Sequence, residues 1–268
     1  MCLIVLAWEA HPAYRLVAAA NRDEFYARPT APAAWWHDAP NVFGGRDLSA
    51  GGTWLGVTRT GRFAAVTNVR EPLSPRPGTW SRGHLVGNFL HSRAPSAGYV
   101  AGVAANRGNF AGFNLLCCDG ESLVWYSNRA DDGYVLDPGL YGVSNALLDT
   151  PWPKVVRAKE DLAAALAGPP AALESALFAL LARRDPAPDG QLPDTGVGAE
   201  RERALSSAFI ATPDYGTRAS TIVLFGRDGT VDFVERTIDF ATGAWTEARE
   251  RFAIEPDPVV EAARGGSS

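Results

Sequence analysis

The sequence predicts an α+β fold dominated by antiparallel sheet. Apolar, β-branched runs recur in pairs around short turn signals, and helical periodicity is confined to blocks between those pairs. Strands and helices do not alternate singly, as a parallel sheet would require.

The first pair is "CLIVLAW" (residues 2–8) and "YRLVAAA" (residues 14–20), joined by a turn at His11-Pro12. "TWLGVTRTGRFAAVTNV" repeats the design with a break at Thr60-Gly61, "FNLLCCDGESLVWYS" at Asp119-Gly120 and "STIVLFGRDGTVDFVE" at Asp228-Gly229. Glycine at such tips supplies the positive φ that a tight hairpin needs. Four hairpins are therefore expected. Helices are predicted in "SRGHLVGNFLHSR", capped by Ser81, and in "SAGYVAGVAANRG", stopping at Gly108. A second pair, "TPWPKVVRAKEDLAAALAG" and "PAALESALFALLARRD", carries apolar residues at helical spacing, with Pro151 and Pro153 setting the start of the first. Residues 26–52 and 185–200, rich in Pro and Gly, read as long irregular loops. Residues 1–260 form one domain in this reading, and 261–268 a disordered tail.

Of 268 residues, 46% are hydrophobic and 21% charged, which suffices for a buried core without disulfide or metal staples. The net charge is −5 and the basic residues are scattered singly, which speaks against nucleic acid and anionic membrane as main partners. The leading apolar run breaks at Glu9 and His11, too early for a secretory signal, and no run of roughly 18 apolar residues follows. Three cysteines, Cys2, Cys117 and Cys118, fit a reducing compartment, so a cytoplasmic protein with no integral membrane segment is expected. The histidines His11, His37, His84 and His91 lack zinc spacing, and there is no phosphate-loop signature. A site with no metal and no cofactor is the expectation.

Cys2 stands behind the initiator methionine, which is normally removed when the next side chain is small. The liberated amine (pKa about 8) and the thiol (about 8.5) are matched, so the amine can take the thiol proton. The alternative is an ordinary buried strand cysteine. The small-residue run "VAAA" ends abruptly in Asn21-Arg22-Asp23-Glu24. Three consecutive charged side chains cannot all be buried unpaired, so the cluster belongs at a strand end, and the first turn brings it to the same end of the sheet as Cys2. A solvated turn with local ion pairs is the competing reading. Trp35, Trp36, Trp54 and Trp80 suit either an apolar cleft or core packing.

Together, Cys2 in "MCLI", "NRDEF", "GGTWLGV", "TNVR", "SRG", "GVSNALLDTPWPK" and "YGTRAST" resemble the NRDE family, also called the transport and Golgi organisation protein 2 family. The resemblance implies an N-terminal nucleophile hydrolase-like fold, a four-layer αββα sandwich of two antiparallel sheets flanked by helices. A more distant similarity to choloylglycine hydrolases and penicillin V acylases implies that Cys2 is the nucleophile and Asp23 the carboxylate that holds its amine. It further implies that Asn145 is the oxyanion-hole amide and Arg218 the late arginine of the site. Asn68 is a second polar wall, and Arg22, Arg46, Arg82 and Trp54 are candidate ligand contacts. In those acylases an arginine lies three residues before the aspartate; here that position is Ala20, and strand alternation is expected to keep Arg22 from replacing it. Two functions follow as expectations. One is cofactor-free hydrolysis of non-peptide linear amides or thioesters. The other is binding and trafficking of a small molecule, with haem or acyl-CoA implied by the family.

Overall fold

In the computed structural model, which describes residues 2–71, 78–130, 133–239 and 242–256, two antiparallel sheets lie face to face between helical layers. In chain order the elements are β1 (Cys2–Trp8), β2 (Tyr14–Phe25), β3 (Thr30–Trp36), β4 (Ala39–Asp47), β5 (Leu55–Thr58) and β6 (Phe63–Asn68). The helices α1 (Gly83–His91) and α2 (Ser96–Ala105) follow, then β7 (Phe113–Cys118), β8 (Leu123–Ser127), β9 (Tyr134–Val135) and β10 (Gly139–Val143). The chain continues with α3 (Pro153–Ala167), α4 (Leu173–Leu181), α5 (Ala199–Ala204), β11 (Tyr215–Gly226), β12 (Thr230–Ile238) and β13 (Trp245–Ala253).

One sheet has the order β10-β1-β2-β11-β12-β13 and the other β3-β4-β5-β6-β7-β8-β9. All four expected hairpins are present, as β1/β2, β5/β6, β7/β8 and β11/β12. Gly61, Gly120 and Gly229 take positive φ at three of the tips. The run "CLIVLAW" is apolar throughout because β1 is buried on both faces. Cys2, Ile4, Leu6 and Trp8 face the opposite sheet, while Leu3, Val5 and Ala7 pack under α3 and α4. Fully burying one such aliphatic side chain contributes about 1.5–3 kcal/mol. Helices α1 and α2 cover the second sheet, which completes the αββα sandwich.

The structure corrects four local readings. Residues 26–52 are no irregular loop, since most of them form the β3/β4 hairpin. Pro32 is tolerated because β3 is an edge strand and the register shifts between Ala31 and Ala34. Gly44 is needed because a Cβ there would stand 2.7 Å from the Leu55 carbonyl oxygen. Within 185–200, Asp189–Gln191 form a turn of 3₁₀ helix and α5 starts at Ala199. The helix assigned a Ser81 cap begins at Gly83, whose amide donates to Ser81 Oγ at 3.3 Å. The edge strand β13, "WTEARERFA", went unrecognised because most of it is exposed and charged rather than apolar. The tail expected at 261–268 lies outside the described residues.

Candidate functional site

The strand period of two sorts the Asn-Arg-Asp-Glu stretch at the end of β2. Asn21 points into the helical layer and is fully buried. Its Nδ2 donates to the carbonyls of Leu181 and Ala208, both at 2.8 Å, and its Oδ1 accepts from Ser220 Oγ at 2.6 Å. Arg22 pairs across the ladder with Cys2, as Ala20 does with Ile4, so Ala20, Arg22 and Cys2 face the space between the sheets. Positions 20 and 22 are two apart and share a face. The expectation that alternation separates them is corrected: Arg22 is on the same side as Ala20, one step nearer the strand end.

At that end a cavity of about 330 Å³ opens between the sheets. Cys2, Asp23 and Arg218 line it, as do Arg22, Asn68 and Trp54, with Arg46 and Arg82 in its wall. Cys2 is only 7% exposed, and burial pushes its thiol above the ordinary range, so it rests protonated. The Asp23 backbone N–H donates toward the sulfur and opposes that rise. Asp23 Oδ1 accepts from Thr217 Oγ1 at 2.7 Å, and Tyr215 Oη donates to its carbonyl at 3.0 Å. Burial also pushes the Asp23 carboxyl up, opposed first by the Lys154 ammonium.

Arg218 is the extra residue of a β-bulge, where the β11 register jumps from Thr217 to Ala219 against β2. The bulge re-aims its side chain, as bulges do. Nη1 donates to the carbonyls of Phe25, Tyr26 and Arg28, and Nη2 to Thr30 Oγ1, so Arg218 holds the turn from β2 to β3 as the cavity's wall. Arg46 is clamped by Asp38 at 2.6 and 2.8 Å and stacks over Trp36. Arg82 donates to the Gly112 carbonyl at 3.1 Å and lies within electrostatic reach of Cys2.

Asn145 is not part of the cavity lining. Its Nδ2 donates to the Asn68 carbonyl at 2.9 Å, and Ser144 Oγ donates to both Asn145 Oδ1 and the Cys2 carbonyl. Thr67 Oγ1 donates to the Ser144 carbonyl, and Asn114 Nδ2 to that of Ala146. This network clasps the segment after β10 to β6 and β7, so it joins the two sheets beside Cys2.

The sequence reading missed Thr217, Glu235 and Lys154. Glu235, buried in the cavity wall, accepts from the Ala33 amide at 2.7 Å and from Thr221 Oγ1, so it bridges the sheets. Lys154 sits in the first turn of α3, where a cation opposes the helix dipole. That misplacement was the available signal. Among the described residues no group of three or more His, Cys, Asp or Glu is arranged to hold a metal ion, and no helix is long and apolar enough to cross a membrane.

Fold and site together define an αββα sandwich with a cysteine-bearing cleft between its sheets. The sequence profile of Transport and Golgi organisation 2 matches residues 1–240, and the chain belongs to that family. It is 39% identical over 262 residues to the Transport and Golgi organization protein 2 homolog of Bos taurus, covering 89% of this chain and 93% of that protein. It is 36% identical over 279 residues to the homolog of Homo sapiens, covering 95% of this chain and 100% of that protein. Among solved structures, a Caenorhabditis elegans N-acylethanolamine-hydrolyzing acid amidase (NAAA) ortholog is similar at a TM-score of 0.47 and 10% identity, covering 83% of this chain and 92% of that one.

Proposed function

We propose that the chain is an N-terminal cysteine hydrolase of non-peptide linear amides or acyl thioesters, active once Met1 is removed. The observation that supports it is the position of Cys2, in the lining of the cavity between the sheets with Asp23 one ladder position away. The thiol is held protonated by burial, so attack needs a base, and the α-amine that loss of Met1 frees on Cys2 is a base carried by the same residue. The thiol proton passes to the amine as sulfur bonds to the carbonyl carbon. The tetrahedral oxyanion collapses, the bond to the leaving nitrogen or sulfur breaks, and the amine returns the proton to the leaving group. Water then cleaves the thioester on Cys2 and regenerates the thiol. Asn68 is the carboxamide of the cavity wall, and Asn145, outside the lining, fixes the Asn68 backbone carbonyl. One oxyanion donor of this kind is worth about 2.7–4 kcal/mol. Hydrolysis across a panel of linear amides and acyl thioesters tests the reading; Cys2→Ala is expected to abolish turnover, and an unchanged rate refutes it.

A second reading is favoured by Arg22 and Arg82 in the wall, since Arg28, Arg46 and Arg218 are already engaged by Asp47, Asp38 and the turn after β2. Two such guanidinium groups suit an anionic ligand, with carboxylates or phosphates meeting guanidinium forks, as in haem or acyl-CoA. Titration with haemin and with long-chain acyl-CoA, followed by Trp fluorescence and the Soret band, tests it; no saturable response to either refutes it. Cys117 and Cys118, buried and unbridged, support a reducing and hence cytoplasmic setting.

A further inference from the structure

Five arginines line the cavity among the described residues, and four of them donate a hydrogen bond within the chain. Arg28 donates to Asp47 at 2.7 Å, Arg46 to Asp38 at 2.6 and 2.8 Å, Arg82 to the Gly112 carbonyl at 3.1 Å, and Arg218 to the turn after β2. Arg22 is the exception. It is 9% exposed, and among the described residues none of its nitrogens makes a hydrogen bond, although none is sealed in protein either. Its ion pair is with Glu24 at 3.7 Å, beyond hydrogen-bond length. Glu24 stands as loosely by Arg28, at 3.8 Å, and its Oε1 accepts from the Phe25 amide at 2.9 Å. The other carboxylates of the wall are committed, Asp47 to Arg28, Asp23 to Thr217, and Glu235 to the Ala33 amide and Thr221. A buried guanidinium with unused donors forgoes charge-assisted bonds that nothing else in the chain supplies.

Arg22 pairs with Cys2 across the β1/β2 ladder and shares its face, so the Cβ atoms of the two are about 4.5–5.5 Å apart. An anion held by that guanidinium is therefore within a few bonds' reach of a carbonyl carbon presented to the sulfur. The group that the chain itself sets against Arg22 is a carboxylate, placed too far away to bond. We propose that Arg22 is the specificity-determining residue of the site, that Glu24 is its placeholder in the free protein, and that the substrate displaces Glu24 with a carboxylate carried a few bonds from the scissile carbonyl. The substrate class narrows to compact amides or thioesters bearing a carboxylate, in keeping with a cavity of about 330 Å³, near the lower end for small-molecule sites. A planar two-oxygen anion matches the guanidinium fork, which a neutral acyl chain cannot do.

This inference rests on the reading of Cys2 as a nucleophile, and its test separates the two. Hydrolysis is compared within two pairs of compounds. One pair is the N-acetylcysteamine thioesters of glutaric acid, which keeps a free carboxylate, and of pentanoic acid, which does not. The other is N-pentanoylglycine, with the carboxylate on the leaving amine, and neutral N-methylpentanamide. Wild-type protein is expected to prefer the carboxylate-bearing member of one pair by at least about tenfold in kcat/KM, as for one charge-assisted hydrogen bond. Arg22→Gln is expected to abolish that preference, and Glu24→Gln, which removes the competing charge but keeps the shape, to widen it about two- to fivefold. Binding of glutaramate and of neutral pentanamide to the Cys2→Ala protein is measured alongside by calorimetry. Turnover without a charge preference, or a preference that either variant leaves unchanged, overturns the role of Arg22 and leaves that of Cys2 standing. No turnover, with glutaramate bound at least about tenfold tighter than pentanamide, does the reverse. Neither turnover nor a difference in binding overturns both. If Arg22→Gln does not fold, Glu24→Gln, at a side chain 26% exposed, carries the test, and an unwidened preference overturns the proposal.

Discussion

Asn21→Leu removes the side chain that ties β2 to the helical layer while nearly preserving its volume. Three hydrogen bonds disappear: those to the Leu181 and Ala208 carbonyls and that from Ser220 Oγ. Leu181 lies in the last turn of α4, where carbonyls have no helical donor, and all of these groups are shielded from water. Each bond is worth about 1 kcal/mol net, and orphaning its buried partners adds to the loss, which gives about 3–5 kcal/mol in all. Urea denaturation at neutral pH measures it directly, and a melting temperature lower by roughly 10 °C should accompany it. Asn21→Asp is expected to be worse, since a carboxylate would face two carbonyl oxygens with no proton to donate. A loss of under about 1 kcal/mol for the leucine variant refutes the reasoning, because it would mean that the three partners find other company at no cost.

Glu202→Ala strips a 2.5 Å carboxylate from the buried Arg70 guanidinium and should cost about 3–5 kcal/mol, whereas the double variant Arg70→Met/Glu202→Leu should recover most of it. A double-mutant cycle by urea denaturation checks both. Gly52→Ala would place a Cβ 2.4 Å from the Gly83 carbonyl carbon, beside the cavity, so it should destabilise by about 1–3 kcal/mol through forced backbone movement, readable as a shift in the denaturation midpoint. The folded-state value of Lys154 is depressed from 10.5 to about 8, so between those pH values the unfolded chain holds a proton the folded one has lost. Stability from this group therefore rises with pH across that window, and wild type should gain about 2 kcal/mol on Lys154→Met between pH 8 and 10; a flat or falling difference refutes burial as the cause. Cys118, pushed to about 12 by burial, and Cys117, raised by the same cause, should resist alkylation in the folded protein at pH 8 and react at once in urea, as peptide mapping would show.

The order of strands and helices was written in local chemistry. Runs such as "CLIVLAW" and tips such as Asp119-Gly120 and Asp228-Gly229 carry period and turn preference in a few neighbouring residues, and so the four hairpins were legible. The β3/β4 hairpin was not, because Pro32 is acceptable only at a sheet edge and being an edge is a property of the whole sheet. Cys2, Asp23 and Arg218 were named in advance from their motifs, and the structure places all three on one cavity. What their side chains do there depended on partners far along the chain. Arg218 spends its guanidinium on four groups of the turn after β2, Asn145, itself outside the cavity, holds the Asn68 carbonyl, and Asn21 joins β2 to α4. Lys154 shows the limit most clearly. A lysine in the first turn of a helix reads as solvated, and only the packing of α3 over β1 makes it a buried one, because desolvation is set by what folding brings close in space.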